Sequence, residues 1–358
     1  MSVYFGRSIF VFVFVFIFLN VQKKYLQPTT ALPFDGQNRS PKGALSAFPA
    51  APSPPVDFSG QGAKVETTHN FPSTLANGEM KSITVQNGGK EEIKTLIRKE
   101  YVAEFIGTLL LVVFGCGSNC TATYNGAFSG VWQIASAWGM GVAIAVYCTA
   151  SVSGAHINPA VSFATALQGR ATGFSWKDFR GYVTAQMLGA FTGALANFAV
   201  FSSFIKQFEM DQGITRGEPE SFKSALAFGE YPNSLLSPAK AFLVEVWATS
   251  LLMFSIKGIT DPKSSALVNK DLAPLLIGFV VCILICLFGP LTQCCMNPAR
   301  DFGPRLVTFF TGWGSAAIPG PRNCFWIYLL GPLIGAAFGA YMYDTLIAPK
   351  NDDASSSF

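Results

Sequence analysis

The sequence predicts an all-α membrane protein with six transmembrane helices and two re-entrant half-helices, built as inverted three-helix repeats. Three observations lead there. Half of the 358 residues are apolar and only 13% are charged, with a mean hydropathy of +0.36, the balance of a polytopic membrane protein. Six apolar runs are each close to the roughly 20 residues a helix needs to cross the hydrocarbon core. Asn-Pro-Ala occurs twice, at Asn158-Pro159-Ala160 and Asn297-Pro298-Ala299. Each triplet follows a membrane-length run after a short loop and precedes a stretch long enough for only half a span. Lipid offers the backbone no hydrogen-bond partners, so runs of this length are read as helices.

Taken in order, residues 1–24 hold an apolar run, IFVFVFVFIFL, flanked by Arg7, Lys23 and Lys24. At 9–19 it is short for a span and reads as the apolar region of a targeting signal. Residues 25–95 are rich in Pro, Ser, Thr and Gly without periodicity, for example SAFPAAPSPP, a composition that favours disorder. The span-bearing body occupies 96–348, with spans at 99–118, 131–150, 180–203, 240–258, 272–290 and 324–347. A short polar tail, 349–358, follows.

The two halves of the body repeat. Glu104 opens EFIGTLLLVVF and Glu245 opens EVWATSLLMFS, 54 and 52 residues before their Asn-Pro-Ala triplets. In the third span of each half, Gly189 and Gly193 are aligned with Gly331 and Gly335. Three spans per half is an odd number, so the second half enters from the opposite side and the two triplets approach the midplane from opposite faces. Lys90, Lys94, Arg98 and Lys99 precede the first span; Arg170, Lys177 and Arg180 follow the second; Lys257, Lys263 and Lys270 follow the fourth. The 119–130 loop has no Lys or Arg. The positive-inside rule then places both ends of the body in the cytosol. A translocating signal at 9–19 would place residues 25–95 in a lumen and reverse the first span, so one of the two signals must yield.

The net charge of +4 carries no clustered basic stripe of the kind nucleic acid requires. The eight cysteines fall in or beside apolar segments and read as small packing residues. No Cys/His spacing suggests a metal site, and no cofactor is implied.

The words SGAHINPAV and GPLTQCCMNPARDFGPR resemble the major intrinsic protein (aquaporin) family, and the second is closest to its aquaglyceroporin, or glycerol facilitator, branch. The resemblance covers about 96–348. It implies a passive pore in each protomer, a homotetramer, and small neutral solutes such as glycerol, water and urea as the permeants. Asn158 and Asn297 are each expected to cap a half-helix with the backbone while the side-chain amide points into the lumen as a donor. Two helix N-termini meeting there bring roughly +0.5 of an elementary charge each. Exclusion of protons and cations by such dipoles is already a known property of aquaporin-type pores.

Glu104 and Glu245, ionisable groups within spans, are expected to hold the re-entrant loops by accepting hydrogen bonds, with His156 packed in the first loop. Arg300 is expected in the narrowest filter; an alternative is a structural pair with Asp301. At an effective dielectric of 20, a cation within 4 Å of the guanidinium meets roughly 4 kcal/mol of repulsion. By alignment, Trp138, Ile285 and Cys294 complete the filter, with the indole face opposite the Arg300 donors, an amphipathic slot for a polyol.

The family pattern is not followed throughout. Glycerol facilitators usually carry Gly and Phe where this chain has Ile285 and Cys294, and water channels carry His and a small residue. Trp, aliphatic, small and Arg together look more like the nodulin-type plant channels. Asp301 and Arg305 match the glycerol branch. In the pair Tyr328-Leu329, glycerol channels prefer Pro then aliphatic, so only Leu329 matches. Three alternatives stay open: a water-selective pore, an ion-coupled secondary transporter, and a non-conducting junction protein. The host membrane is the plasma membrane or an internal one, such as a plastid or ER membrane.

Overall fold

The computed structural model describes residues 98–348 except residue 129 and residues 264–268. The targeting segment, the 25–95 leader and the 349–358 tail lie outside the described residues.

Among the described residues, eight helices of ten or more residues build the body: α1 (Lys99–Asn125), α2 (Val131–Ser153), α3 (Pro159–Gln168), α4 (Trp176–Asp211), α5 (Pro238–Thr260), α6 (Ala273–Thr292), α7 (Pro298–Thr308) and α8 (Phe325–Leu346). Six of them are long and apolar enough to cross a membrane. The two half-helices, α3 and α7, have 10 and 11 residues, about 15 Å at 1.5 Å per residue, or half the hydrocarbon thickness. Two spans outrun their sequence boundaries. α1 continues to Asn125: Ser118 and Asn119 stay buried in the helix although their hydropathy is low, and the apolar Cys120 is buried with them. α4 reaches 36 residues, started by a capping box in which Ser175 and Asp178 exchange side-chain and backbone hydrogen bonds. Outward faces carry exposed apolar side chains such as Val200, Phe279, Ile283 and Leu287, which suits helices solvated by hydrocarbon.

Within each half, the first and third spans pack closely: α1 on α4, and α5 on α8. Glycines permit it. A Cβ on Gly189 would lie 2.3 Å from the Phe105 carbonyl oxygen, and one on Gly193 2.7 Å from that of Leu109. In the second half, Gly335 meets the Val246 carbonyl at 2.4 Å and Gly339 that of Ser250 at 2.1 Å. Phe105 and Val246 each directly follow the repeat glutamate. The correct correspondence is therefore Gly189/Gly193 with Gly335/Gly339, one helical turn beyond the Gly331/Gly335 register expected from sequence. The glycines serve packing within the protomer, as small residues do where helix backbones meet.

The halves join through α2 and α6. Gly139 and Gly278 each lie 19 residues before their Asn-Pro-Ala asparagine, and a Cβ on either would sit about 2.5 Å from the other's carbonyl oxygen. Equivalent residues in mutual contact mark the pseudo-two-fold axis. Each half-helix also packs on the third span of the opposite half: α3 on α8, and α7 on α4.

Candidate functional site

The loops leading into α3 and α7 are held by the two repeat glutamates. Glu104 Oε1 accepts from Ser153 Oγ (2.7 Å) and His156 N (2.9 Å), and Oε2 accepts from Ile157 N (2.7 Å) and Gln186 Nε2 (2.8 Å). Glu245 Oε1 accepts from Thr292 Oγ1 (2.6 Å) and Cys295 N (3.1 Å), and Oε2 from Met296 N (3.0 Å). Both side chains are fully buried, so these are charge-assisted bonds in a medium of low dielectric. The loops need such support. Ala155 and Ile157 have φ of 48° and 42°, and Gln293, Cys294 and Met296 have 65°, 57° and 53°. Left-handed backbone is costly for residues with a Cβ, most of all for a β-branched one.

A third repeat member was not read from sequence. Tyr182 donates to the Ser153 carbonyl (2.8 Å), and Tyr328 to the Thr292 carbonyl (3.1 Å). Ser153 and Thr292 are the hydroxyl partners of the two glutamates, so tyrosine, hydroxyl residue and glutamate recur as a unit. Tyr328 thus belongs to the loop support, while its neighbour Leu329 is partly buried on α8. His156 sits in the first unit, its Nδ1 3.0 Å from Ser162 Oγ and its ring packed on Phe174 and Tyr182.

The two triplets meet. Asn158 Oδ1 accepts from Ala160 N (2.8 Å), and Asn297 Oδ1 from Ala299 N (3.0 Å) and Arg300 N (3.2 Å). The side-chain carbonyl caps in addition to the expected backbone carbonyl, which accepts from Ser162 N (3.0 Å) at Asn158 and from Asp301 N (3.3 Å) at Asn297. Each Nδ2 donates across the axis, Asn158 to the Met296 carbonyl (2.8 Å) and Asn297 to the Ile157 carbonyl (2.9 Å). An amide nitrogen has two hydrogens, which leaves one on each side chain. Both asparagines line a cavity of about 720 Å³ that runs on to Lys257 and Lys270.

Trp138, Ile285, Cys294 and Arg300 line that same cavity. Their geometry differs from the expected opposed slot. The Arg300 guanidinium lies over the Trp138 ring, its Cζ 4.1 Å from the ring centroid, a stacked cation–π contact. Nothing passes between two groups at that separation, so the stack itself is closed to solute. A lipid-interface anchor would be exposed; Trp138 is 4% exposed.

Arg300 does not pair with Asp301. Its Nη2 contacts Glu230 Oε1, while its buried Nη1 has no hydrogen-bond partner. Asp301 pairs instead with Arg305, whose Nε lies 2.9 and 3.1 Å from the two carboxylate oxygens. Asp301 Oδ1 also accepts from Glu230 N (2.7 Å), and Arg305 donates to the carbonyls of Glu230 and Ala317. Glu230, fully buried in the α4–α5 connection, lay outside every sequence pattern. Its neighbours in the chain form no periodic or motif signal, and only folding carries it to Arg300.

The eight cysteines are all free thiols; only Cys148 is exposed and Cys286 partly so. Among the described residues, no group of three or more His, Cys, Asp or Glu is placed to hold a metal ion.

Comparison with known proteins agrees with this architecture. The family model of the major intrinsic protein matches residues 91–343. A glycerol uptake facilitator protein of Pseudomonas aeruginosa is 44% identical over 249 residues, covering 69% of this chain and 88% of the relative. The propanediol uptake facilitator PduF of Citrobacter freundii is 41% identical over 253 residues, covering 70% and 93%. Among solved structures, the aquaglyceroporin from Plasmodium falciparum superposes with a TM-score of 0.62 at 26% identity, covering 70% of this chain and 97% of that one. With six spans, two half-helices meeting at paired Asn-Pro-Ala triplets, and this match over most of its length, the chain belongs to the major intrinsic protein family of membrane channels.

Proposed function

We propose that the chain is a passive channel for glycerol and related small neutral solutes, that water also passes, and that protons and ions do not. The observation that carries this reading is the filter. A buried guanidinium with a spare donor, Arg300 Nη1, stacked on Trp138, shares a single cavity with an apolar wall that includes Ile285 and the edge of the indole. A polyol offers hydroxyl oxygens to the donor and CH groups to the wall, and the two asparagine amides offer further donors at the meeting of the half-helices. The names of the relatives, facilitators of glycerol and propanediol uptake, support the same solute class. Asp301 and Arg305 contribute by holding the loop that carries Glu230 against Arg300.

Stopped-flow light scattering on proteoliposomes tests this. Shrinkage followed by rapid reswelling in glycerol, with shrinkage alone in sucrose, is the expected result. Fast shrinkage in both without reswelling assigns the chain to water-selective pores, with Ile285 and Cys294 as the narrowing residues. A homotetramer, each protomer with its own pore, is part of the proposal and rests on family membership; the mass of the detergent-purified particle measures it.

A further inference from the structure

The indole of Trp138 is held by a residue outside the four filter positions. Asn119, 9% exposed on α1, accepts the Trp138 Nε1 hydrogen on its Oδ1 at 3.1 Å. Its Nδ2 donates to the Ala227 carbonyl at 3.4 Å, in the same connection that carries Glu230. One amide thus ties the aromatic wall to the loop that holds Arg300. The ring is also seated against Gly115, where a Cβ would fall 2.1 Å from Trp138 Cζ3. Gly115 and the Arg300 guanidinium pack on the ring, and the amide adds a directional restraint to a torsion that is otherwise broad for an indole.

We propose that Asn119 is a specificity-determining positioning residue, which latches the Trp138 indole flat over Arg300 and thereby sets the width of the filter. Two consequences follow. The indole N–H is spent on Asn119 and withheld from solutes, so this wall is purely apolar. The stack on Arg300 also confines traffic to the side of Ile285 and Cys294, which disfavours solutes bulkier than glycerol. The inference rests on the proposed filter containing Trp138, and its test separates the two.

The experiment measures the erythritol-to-glycerol permeability ratio in proteoliposomes, a ratio independent of the number of active channels. Wild type, Asn119→Val, Trp138→Phe and the double variant are compared, with thermal unfolding as a folding control. Asn119→Val should raise the ratio about fivefold, the population weight of one hydrogen bond of ordinary net strength. Trp138→Phe, which keeps a ring but lacks the N–H, should raise it as well, and the double variant should not exceed the larger single effect. Should Asn119→Val fail to fold, Asn119→Ser replaces it, since a serine hydroxyl satisfies itself on its own helix backbone and cannot span to the indole. An unchanged ratio in the Asn119 variants beside a raised one in Trp138→Phe overturns the latch and leaves the filter intact. Independent, multiplying effects of the two substitutions also overturn it. An unchanged ratio in Trp138→Phe overturns the filter assignment, and the latch with it.

Discussion

Replacing Glu104 by Gln is the most revealing single change to the scaffold. The carboxylate accepts four hydrogen bonds, from Ser153 Oγ, His156 N, Ile157 N and Gln186 Nε2, all between 2.7 and 2.9 Å. A glutamine of the same shape keeps one oxygen and turns an NH₂ group toward two of those donors. A hydroxyl or an amide can turn to accept from it, but a backbone N–H cannot, so one bond to a charged acceptor is lost outright, at about 1.5–3 kcal/mol. That is a large share of the 5–15 kcal/mol by which domains are typically stable. The loss falls on the segment that holds Ala155 and Ile157 in left-handed backbone, so the loop should relax and the meeting of Asn297 Nδ2 with the Ile157 carbonyl should fail. Thermal unfolding in detergent and glycerol reswelling in vesicles read the two consequences: a lowered midpoint and a sharply reduced permeability. Exposed Glu218 changed to Gln serves as the control. A Glu104→Gln protein with wild-type unfolding and wild-type permeability would refute the view that the carboxylate holds the loop.

Four further outcomes are expected. Arg300→Val should raise proton or cation leak, measured by dye-reported vesicle acidification, because it removes the buried positive charge from the filter. Cys294→Phe should shift the glycerol-to-water permeability ratio, since residue 294 is 2% exposed and lines the cavity beside Arg300. Tyr182→Phe and Tyr328→Phe should each lower stability by about 1 kcal/mol, one hydrogen bond apiece, and comparable denaturation shifts would support their repeat equivalence. Gly139→Ala should destabilise the α2–α6 contact by about 1–3 kcal/mol through overpacking, because its Cβ would lie 2.5 Å from the Gly278 carbonyl oxygen; an unaltered unfolding midpoint would show that the helices can part freely.

Much of this was legible in the residues. Long apolar runs, an in-span glutamate in each half and twin Asn-Pro-Ala triplets are local signals, and hydrocarbon leaves them few structural solutions. Span ends were less legible. Hydropathy falls at Ser118 and Asn119, yet the α1 backbone goes on to Asn125 because both polar groups are satisfied, Ser118 by the Gly115 carbonyl of its own helix and Asn119 by the Ala227 carbonyl. The glycine register slipped by a turn because Gly331, Gly335 and Gly339 are evenly spaced, and only their carbonyl contacts distinguish them. Glu230 and Asn119 were invisible for a different reason. Their roles depend on side-chain partners about 70 and 19 residues away in sequence, Arg300 and Trp138, and no spacing rule links them.

The central claim is that solute crosses through one continuous, passive path built by both halves. Uptake of isotope-labelled glycerol into proteoliposomes, across a concentration series with and without an imposed proton or sodium gradient, tests it most directly. A rate proportional to concentration and indifferent to either gradient is the predicted result. A rate that saturates and follows one of the gradients would contradict the account and make the molecule an ion-coupled transporter.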